Sequence, residues 1–482
     1  MRHRLFARCR RRDQSVRFGF IATERFEWRF TLRMPFRFGV ITVRDGVQAV
    51  VRLRIRDVMG REGFGMAAET LAAKWFDKDA ALTDADNQHQ LRRALEIAEA
   101  QSLAAGFNTA FGHYADGYNA YVAACAAEGL NPLVASFGRA LWDRAAFDAL
   151  LRLAGLSFDA GLRANLGGMA PHVVIPDLVD FDFAAMLAHV PKPARLHARH
   201  TVGLVDPITS ADQTDTADDG LPETLEQVLA TYRHLYWKLK VSGNIAEDVA
   251  RLCRIAAVLD RSHGYHTTLD GNEQYEDAAS VLALWRAIEA EPRLTRLRAS
   301  ILFIEQPIKR SHALQERITD IAAARPVIID ESDGALDAFL VAKVLGYSGV
   351  SSKACKGIWR SLINLARCRQ WGQGYFMSAE DLTTLAGLCV QQDLALVSAL
   401  GLAHVERNGH HFIDGFAGRP AAEAQAYRAA HPDLYEDTSH GPRLRIRAGL
   451  LDIGSIATPG LGSAPWPDVT AMQPMEKAAW PK

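Results

Sequence analysis

From Arg17 to about Arg56 apolar and polar residues alternate, in V-R-F-G-F-I-A-T, F-R-F-G-V-I-T-V and A-V-V-R-L-R-I-R. A period of two predicts strands with one buried face, so three antiparallel strands are expected here. Arg44-Asp45-Gly46 reads as the hairpin turn between two of them. Gly63-Phe64-Gly65 then reads as a mobile glycine-rich loop running into a helix. Residues 87–106 carry leucine and alanine at three- and four-residue spacing, which predicts an amphipathic helix. Further helices are expected around 116–129 and 139–154, and Pro171, Pro176, Pro191 and Pro193 suggest a linker before 195.

From about His200 the pattern changes to strand–helix alternation. Short apolar runs predict strands near 200–205, 236–241, 266–270, 301–305, 326–330, 349–353, 374–378 and 396–400. Helical stretches separate them, for example 244–262, 276–291, 334–346 and 357–371. Such alternation argues for an α/β fold, a closed parallel (β/α) barrel of modified TIM type with eight strands. The expected layout is a basic disordered tail over 1–16, an N-terminal α+β capping domain over 17–195 and the barrel over 196–440. The Gly- and Pro-rich segment 441–482, with Trp466 and Trp480, is expected to pack back on the capping domain.

Composition narrows the class. A chain of 482 residues suits two or more domains, and 49% hydrophobic with 23% charged residues describes an ordinary globular protein. A formal net charge of −1 supplies no field to recruit nucleic acid or an anionic membrane. Cys9, Cys125, Cys253, Cys355, Cys368 and Cys389 are scattered without paired spacing, which fits reduced thiols in a cytoplasm. No run approaches the roughly 18 apolar residues of a membrane span. The basic start, M-R-H-R-L-F-A-R-C-R-R-R-D, leads into no apolar signal segment, so secretion is not expected.

The chemistry lies between Tyr236 and Lys356. Five apolar runs in this stretch end on Lys240, Asp270, Glu305, Asp330 and Lys353. A single charged strand end reads as an ordinary salt bridge. Five in the order base, acid, acid, acid, base read as a site, because the C-terminal ends of barrel strands open into one mouth. Three converging carboxylates repel unless a cation sits between them, and hard oxygen ligands favour Mg²⁺, with Mn²⁺ as a substitute. Lys240 and Lys353 flank the trio and are expected to face one another across the mouth. A lysine beside a divalent cation and a second ammonium loses affinity for its proton, which makes it a usable base near neutral pH. Lys238, two residues before Lys240 and on the same face, adds to that effect. Lys356 opens the next helix and is a weaker candidate.

The motifs Lys238-Leu239-Lys240, Asp270-Gly271-Asn272, Glu305-Gln306-Pro307, Asp330-Glu331-Ser332 and Lys353 to Gly357 closely resemble those of the enolase superfamily, in its mandelate racemase/muconate lactonizing enzyme group. The resemblance covers the strands near 17–56 and the whole barrel. It implies Asp270, Glu305 and Asp330 as Mg²⁺ ligands and Lys240 with Lys353 as acid/base groups on opposite faces of a carboxylate substrate. Lysine at 353, with no His-Asp dyad after Asp330, looks like the muconate lactonizing subgroup. Abstraction of an α-proton to an enediolate is the implied chemistry, giving racemisation, epimerisation or cycloisomerisation. An acid-sugar dehydratase or other β-elimination lyase of the same superfamily is the alternative. Homo-oligomers, dimers or octamers, are the family habit.

Two departures stand out. The interval from Asp270 to Glu305 is long, and no D-x-D of the dipeptide-epimerase kind marks the last strands. Asn272, Lys356, Glu380, Phe36 and Met66 are the candidate substrate contacts, with Asp381 beside Glu380 and with Met34 to Phe38 and Phe64 to Met66 covering the mouth. Glu380 reads equally as a first-turn helix acid. His404, Glu406, His410 and His411 read as a solvated turn around Asn408-Gly409, with binding as the second reading. Two other function classes are weighed: a dinucleotide-linked oxidoreductase built on Gly63–Ala68, and a catalytically silent relative, against which the retained lysines and carboxylates speak.

Overall fold

In the computed structural model, which describes residues 15–39, 41–214 and 216–478, the chain opens with three antiparallel strands: β1 (Phe18–Phe38), β2 (Ile41–Asp57) and β3 (Glu62–Thr70). The hairpin between β1 and β2 reverses at Gly39, where φ is 51°, rather than at Arg44-Asp45-Gly46. Those three residues lie inside β2, with Asp45 opposite Thr31 and Gly46 opposite Phe30. The alternation continues through Ile41 and Val43, so the strand persists. Gly46 serves a contact instead of a turn: a Cβ there would meet the Phe30 ring at 2.6 Å.

Gly63–Ala68, expected as a mobile loop, is strand β3. Helix Pro132–Ala154 crosses it so closely that a Cβ on Gly65 would collide with the backbone of Ala145 and Ala149. An antiparallel strand begins no βαβ unit, so the dinucleotide reading loses its architecture. The helix itself is well specified. Asn131 accepts from Leu133 N and Val134 N at 2.9 Å each, Pro132 takes the first turn, and Gly155 ends it in the left-handed conformation. Helix Asp84–Ala104 packs on it, and the two cover the sheet.

The barrel follows as β4 (Arg195–Val202), β5 (Tyr236–Lys240), β6 (His266–Asp270), β7 (Ile301–Glu305), β8 (Val327–Ile329), β9 (Gly349–Ser352), β10 (Phe376–Ala379) and β11 (His404–Arg407). Neighbours pair in parallel, and β11 returns to β4, closing eight strands. Two expected strands are corrected: the first, expected near 200–205, is β4 at Arg195–Val202 and stops at Val202. Residues 396–400 lie in helix Leu388–Ala399, and the eighth strand is β11. The run L-A-L-V-S-A-L is buried on every side, and such a run reads equally as buried helix or strand. The long Asp270–Glu305 interval is filled by helix Ala278–Ala290 and a second short helix, Thr295–Ser300.

After the barrel, β12 (Tyr435–Thr438) and β13 (Gly441–Leu444) form a hairpin, and β14 (Leu450–Asp452) pairs antiparallel with β4. β15 (Gln473–Pro474) pairs with Phe26 and Glu27 of β1, so the C-terminal segment does return to the first sheet. Trp480 and residues 1–14 of the basic tail lie outside the described residues. Among the described residues no helix is long and apolar enough to cross a membrane.

Candidate active site

Parallel register builds the floor of the mouth. Lys240 pairs with Asp270 and Asp270 with Glu305, so three charged side chains stand abreast at the ends of β5, β6 and β7. Asp330 follows β8 directly and Lys353 follows β9. The spacing between these ends is braced by Gln306, whose φ is 31°. Its Oε1 accepts from Asp330 N at 2.8 Å and Ser332 N at 3.1 Å, while its Nε2 donates to Ser332 Oγ and Ile308 O. A left-handed residue other than glycine costs free energy, and such sites persist where surrounding contacts hold them. Asn272, with φ of 40°, is a second one on the same rim.

The charges interlock. Lys238 Nζ lies 2.8 Å from Asp270 Oδ2, 2.9 Å from Glu305 Oε1, 2.8 Å from Glu380 Oε2 and 3.1 Å from Glu406 Oε2. Lys240 Nζ donates to Asp270 Oδ2 at 2.5 Å. Lys353 Nζ donates to Asp330 Oδ2 at 2.7 Å and sits 4.2 Å over the Trp75 ring. Lys356 Nζ reaches Ser351 Oγ at 2.6 Å and Asp330 Oδ1 at 3.1 Å.

These contacts set the proton affinity of the floor. Burial disfavours the charge of Lys238, yet Asp270, Glu305, Glu380 and Glu406 together hold it well above the usual lysine range. Burial likewise opposes the Lys353 ammonium, and Asp330 outweighs it, so this lysine is also raised. The lowered lysine expected beside a divalent cation and a second ammonium belongs to a cation-loaded floor; where the carboxylates face the lysines directly, the short ion pairs dominate. Burial would raise Asp330, but Lys353 and Lys356 bring its carboxyl far below the ordinary range.

Glu305 behaves in the opposite way. Burial and the charges of Asp270, Glu380 and Asp330 push it well up, more than Lys238 pulls it down. A buried carboxyl among three other carboxylates holds its proton unless a cation takes that place. Asp270, Glu305 and Asp330 are three hard oxygen donors at the ends of adjacent strands, a set that fits a divalent cation.

Above the floor is a cavity with Lys238, Lys240, Lys353, Asn272, Glu406 and Asn408 on its polar side. Its roof is apolar: Phe30, Leu32, Phe36, Phe38, Ile41 and Val43 come from the β1–β2 hairpin. Trp75 and Leu382 close the sides. The structure thus brings Lys240, Lys353, Lys238, Asn272 and Phe36 to one space. Three other candidates fall elsewhere. Met66 lies on β3, its N–H donating to Asp148 at 3.0 Å beneath the capping helix. Glu380 caps no helix: it is buried below the floor, ion-paired with Arg199 and Lys238. Lys356 is likewise under the floor, holding Asp330.

The residues around Asn408 are the other correction. Glu406 is on β11, accepting from Thr201 Oγ1 at 2.5 Å and Asn408 Nδ2 at 2.9 Å, and it lines the cavity. His404 begins the same strand, stacked 4.4 Å from Tyr236. His411 is buried and His410 half-buried, so this stretch is no solvated turn. Asp381 Oδ2 accepts from Asn408 N at 2.7 Å and ties β10 to the same rim. Glu-x-Asn at 406–408 was the available signal, obscured once the eighth strand was placed at 396–400. Trp75 carries no local signal at all.

No family model and no curated protein matches the sequence. Solved structures match the fold. The L-Ala-D/L-Glu epimerase from Bacillus subtilis is 17% identical, with a TM-score of 0.55 over 92% of this chain and 98% of that one. A dipeptide epimerase from Enterococcus faecalis V583, complexed with Mg and the dipeptide L-Leu-L-Tyr, is 15% identical, with a TM-score of 0.59 over 92% of this chain and 99% of that one. The 2-chloromuconate cycloisomerase from Rhodococcus opacus 1CP is 14% identical, with a TM-score of 0.55 over 92% of this chain and 96% of that one. The capping sheet and closed eight-stranded barrel are the architecture this chain has in common with them.

Proposed function

We propose that this chain is an enolase-superfamily enzyme that exchanges the α-proton of a carboxylate bearing an apolar group, with racemisation, epimerisation or cycloisomerisation as the outcome. What supports the reading above all is that Lys240 and Lys353 line one cavity, each ion-paired to a carboxylate of the floor. An α-proton next to a carboxylate is very weakly acidic, so its removal needs positive charge where the enediolate develops. Asp270, Glu305 and Asp330 would hold Mg²⁺ or Mn²⁺, and such a cation supplies that charge at the substrate carboxylate. Lys240 and Lys353 handle the proton: one takes it and the other returns it to the opposite face. Lys238, clamped by four carboxylates, orients the floor and adds positive charge. Trp75 fixes the Lys353 ammonium from the capping side.

The roof argues for the substrate class. Six apolar side chains cover the cavity, and hydroxyl groups of an acid sugar placed under them would lose hydration without hydrogen bonds from that side. An apolar N-acyl amino acid, a dipeptide or a cyclic unsaturated acid buries its hydrocarbon instead. Incubation of such acids with the protein in D₂O and Mg²⁺, followed by NMR at the α-carbon, tests this. Deuterium should enter an apolar acid, stop on chelation and return when Mg²⁺ is restored. Dehydration of acid sugars with no exchange into any apolar acid would replace this reading with the lyase.

A further inference from the structure

We propose that His200, His234 and His410 form a second metal site, for a zinc-class transition ion, outside the barrel mouth. One ring nitrogen of each lies within 4.8 Å of the other two. The elements dictate the meeting. On β4, Arg199 and Thr201 point into the barrel toward Glu380 and Glu406, so His200 between them points outward. His234 precedes β5, the neighbouring strand, and His410 lies on the short helix Gly409–Phe412 that follows β11. β11 is the other neighbour of β4. Three sequence-distant segments thus deliver one imidazole each to the same outward layer.

The hydrogen bonding of the rings points to a ligand. His234 Nδ1 donates to Ala198 O at 3.0 Å, which fixes the tautomer and leaves the Nε2 lone pair free. That Nε2 is buried without a partner, as are His200 Nδ1 and both ring nitrogens of His410. Buried polar groups are nearly always satisfied, and three adjacent exceptions facing one another call for a common partner. Ring centroids stand 5.4 Å apart for His200 and His234, 6.0 Å for His200 and His410, and 6.1 Å for His234 and His410. Nitrogens bound tetrahedrally at 2.0–2.1 Å would sit roughly 3.3 Å apart, so each ring needs to move by about 1 Å. Burial also keeps the set neutral, the form that binds metal: it lowers His200 and His410 well below the usual range and His234 to about 4.

Imidazole nitrogen is a borderline donor that suits Zn²⁺, Co²⁺ or Ni²⁺ and not Mg²⁺, so this site and the carboxylate trio would take different ions. A small cavity lined by Leu221, Tyr232, Thr384 and Arg407 borders the site on the His410 side. The role is structural. Helix Gly409–Phe412 carries Phe412, whose ring packs 4.4 Å from Phe36 of the roof, and His411 O accepts from Arg33 of β1 at 2.8 Å. A metal tying His410 to β4 and to the residue before β5 would anchor the underside of that roof to the barrel wall.

The test uses the full chain, stripped with a chelator, saturated with Mg²⁺ and titrated with Zn²⁺ or Co²⁺. The expected result is about one Zn²⁺ per chain by elemental analysis, retained in excess Mg²⁺. Co²⁺ should give the intense visible bands of a four-coordinate nitrogen site, displaced by Zn²⁺ and not by Mg²⁺. His410→Gln and His234→Ala should weaken Zn²⁺ binding by a hundredfold or more. His234 is buried and its replacement can unfold the chain, so the half-buried His410 and the Co²⁺ spectrum of the unaltered protein decide. Failure to retain Zn²⁺, unchanged binding in His410→Gln, or thiolate-to-cobalt charge-transfer bands would each overturn the site. None of these readouts depends on turnover, so the proposal stands or falls apart from the reaction assigned above.

Discussion

The floor and the roof of the cavity are made of different material. On the floor, each charged side chain touches at least one opposite charge: Lys238 alone reaches four carboxylates, and Asp330 holds both Lys353 and Lys356. The parts sit at strand ends whose register is set by the barrel ladder. The roof is a hairpin tip with a register shift between Thr31 and Phe36, and its side chains pack in a small cluster separate from the main core. Directional, low-dielectric contacts fix atoms to fractions of an ångström, as proton transfer requires. Non-directional apolar contacts fix only a shape. On the function proposed above, the floor would determine what reaction takes place and the roof on which molecule.

The sharpest break in that division comes from the lysines. Lys353→Ala and Lys240→Ala should each lower α-proton exchange by about 10²–10⁴-fold, the usual worth of a positioned acid or base. Substrate affinity, read by calorimetry, should change far less, because the roof is intact. Exchange surviving at wild-type rate in Lys353→Ala would remove the two-lysine assignment.

Next in size is Gln306→Ala. The amide of Gln306 satisfies Asp330 N and Ser332 N, both on a buried segment. Leaving two buried N–H groups without partners costs about 2–4 kcal/mol. Denaturant midpoints should fall accordingly, and exchange should slow with them, since Asp330 rides on the braced turn. An unchanged midpoint would mean the floor is held by its ion pairs alone.

The floor was legible in the sequence for a local reason. Lys240, Asp270, Glu305, Asp330 and Lys353 each close an apolar run, and the run itself marks the strand, so residue and position are read together. The barrel was legible by the same rule, with β6 and β7 matching in their bounds and β5 ending one residue before the expected 241. The rule failed where apolar character did not distinguish elements. Residues 396–400 are as apolar as a strand but belong to a buried helix, and that displacement hid Glu406. It failed again for Gly65 and Gly46, whose lack of a side chain answers a helix and a ring far along the chain. Trp75 and the three histidines meet their partners only through tertiary contacts, which no spacing encodes.

Acid should act on the capping domain and on the barrel wall alike, through separate histidines. His113 is buried under the capping sheet, its Nε2 donating to Phe18 O at 2.8 Å, and burial lowers it from 6.5 to about 4. The unfolded chain then binds a proton that the folded one does not, so stability falls as pH drops through about 6.5 and the loss is complete near 4. The loss is about 2 kcal/mol by pH 5. Amide exchange at pH 5 should therefore rise in β1 and helix Ala110–Ala127, and also in the barrel wall around His200, His234 and His410, which burial lowers in the same sense. His113→Gln should remove the rise in β1 and helix Ala110–Ala127 and leave the rise in the barrel wall. Exchange in β1 that is as acid-sensitive in His113→Gln as in the unaltered protein would take His113 out of the account.

The smallest effect belongs to Phe36→Ala, and it tests the comparison most directly. Phe36 is 5% exposed and packs on Phe412, so truncation enlarges the apolar cavity without touching a charge. Losing part of a buried aromatic contact to substrate is worth about 1–2 kcal/mol, a KM roughly tenfold higher for an apolar acid. The exchange rate at saturation should hold, because on the proposed function that rate is set by the lysines below. If kcat fell as it does in Lys353→Ala, the roof would be positioning the reacting carbon as well as selecting it. Floor and roof would then be one device, and the apolar hairpin would belong with the catalytic residues.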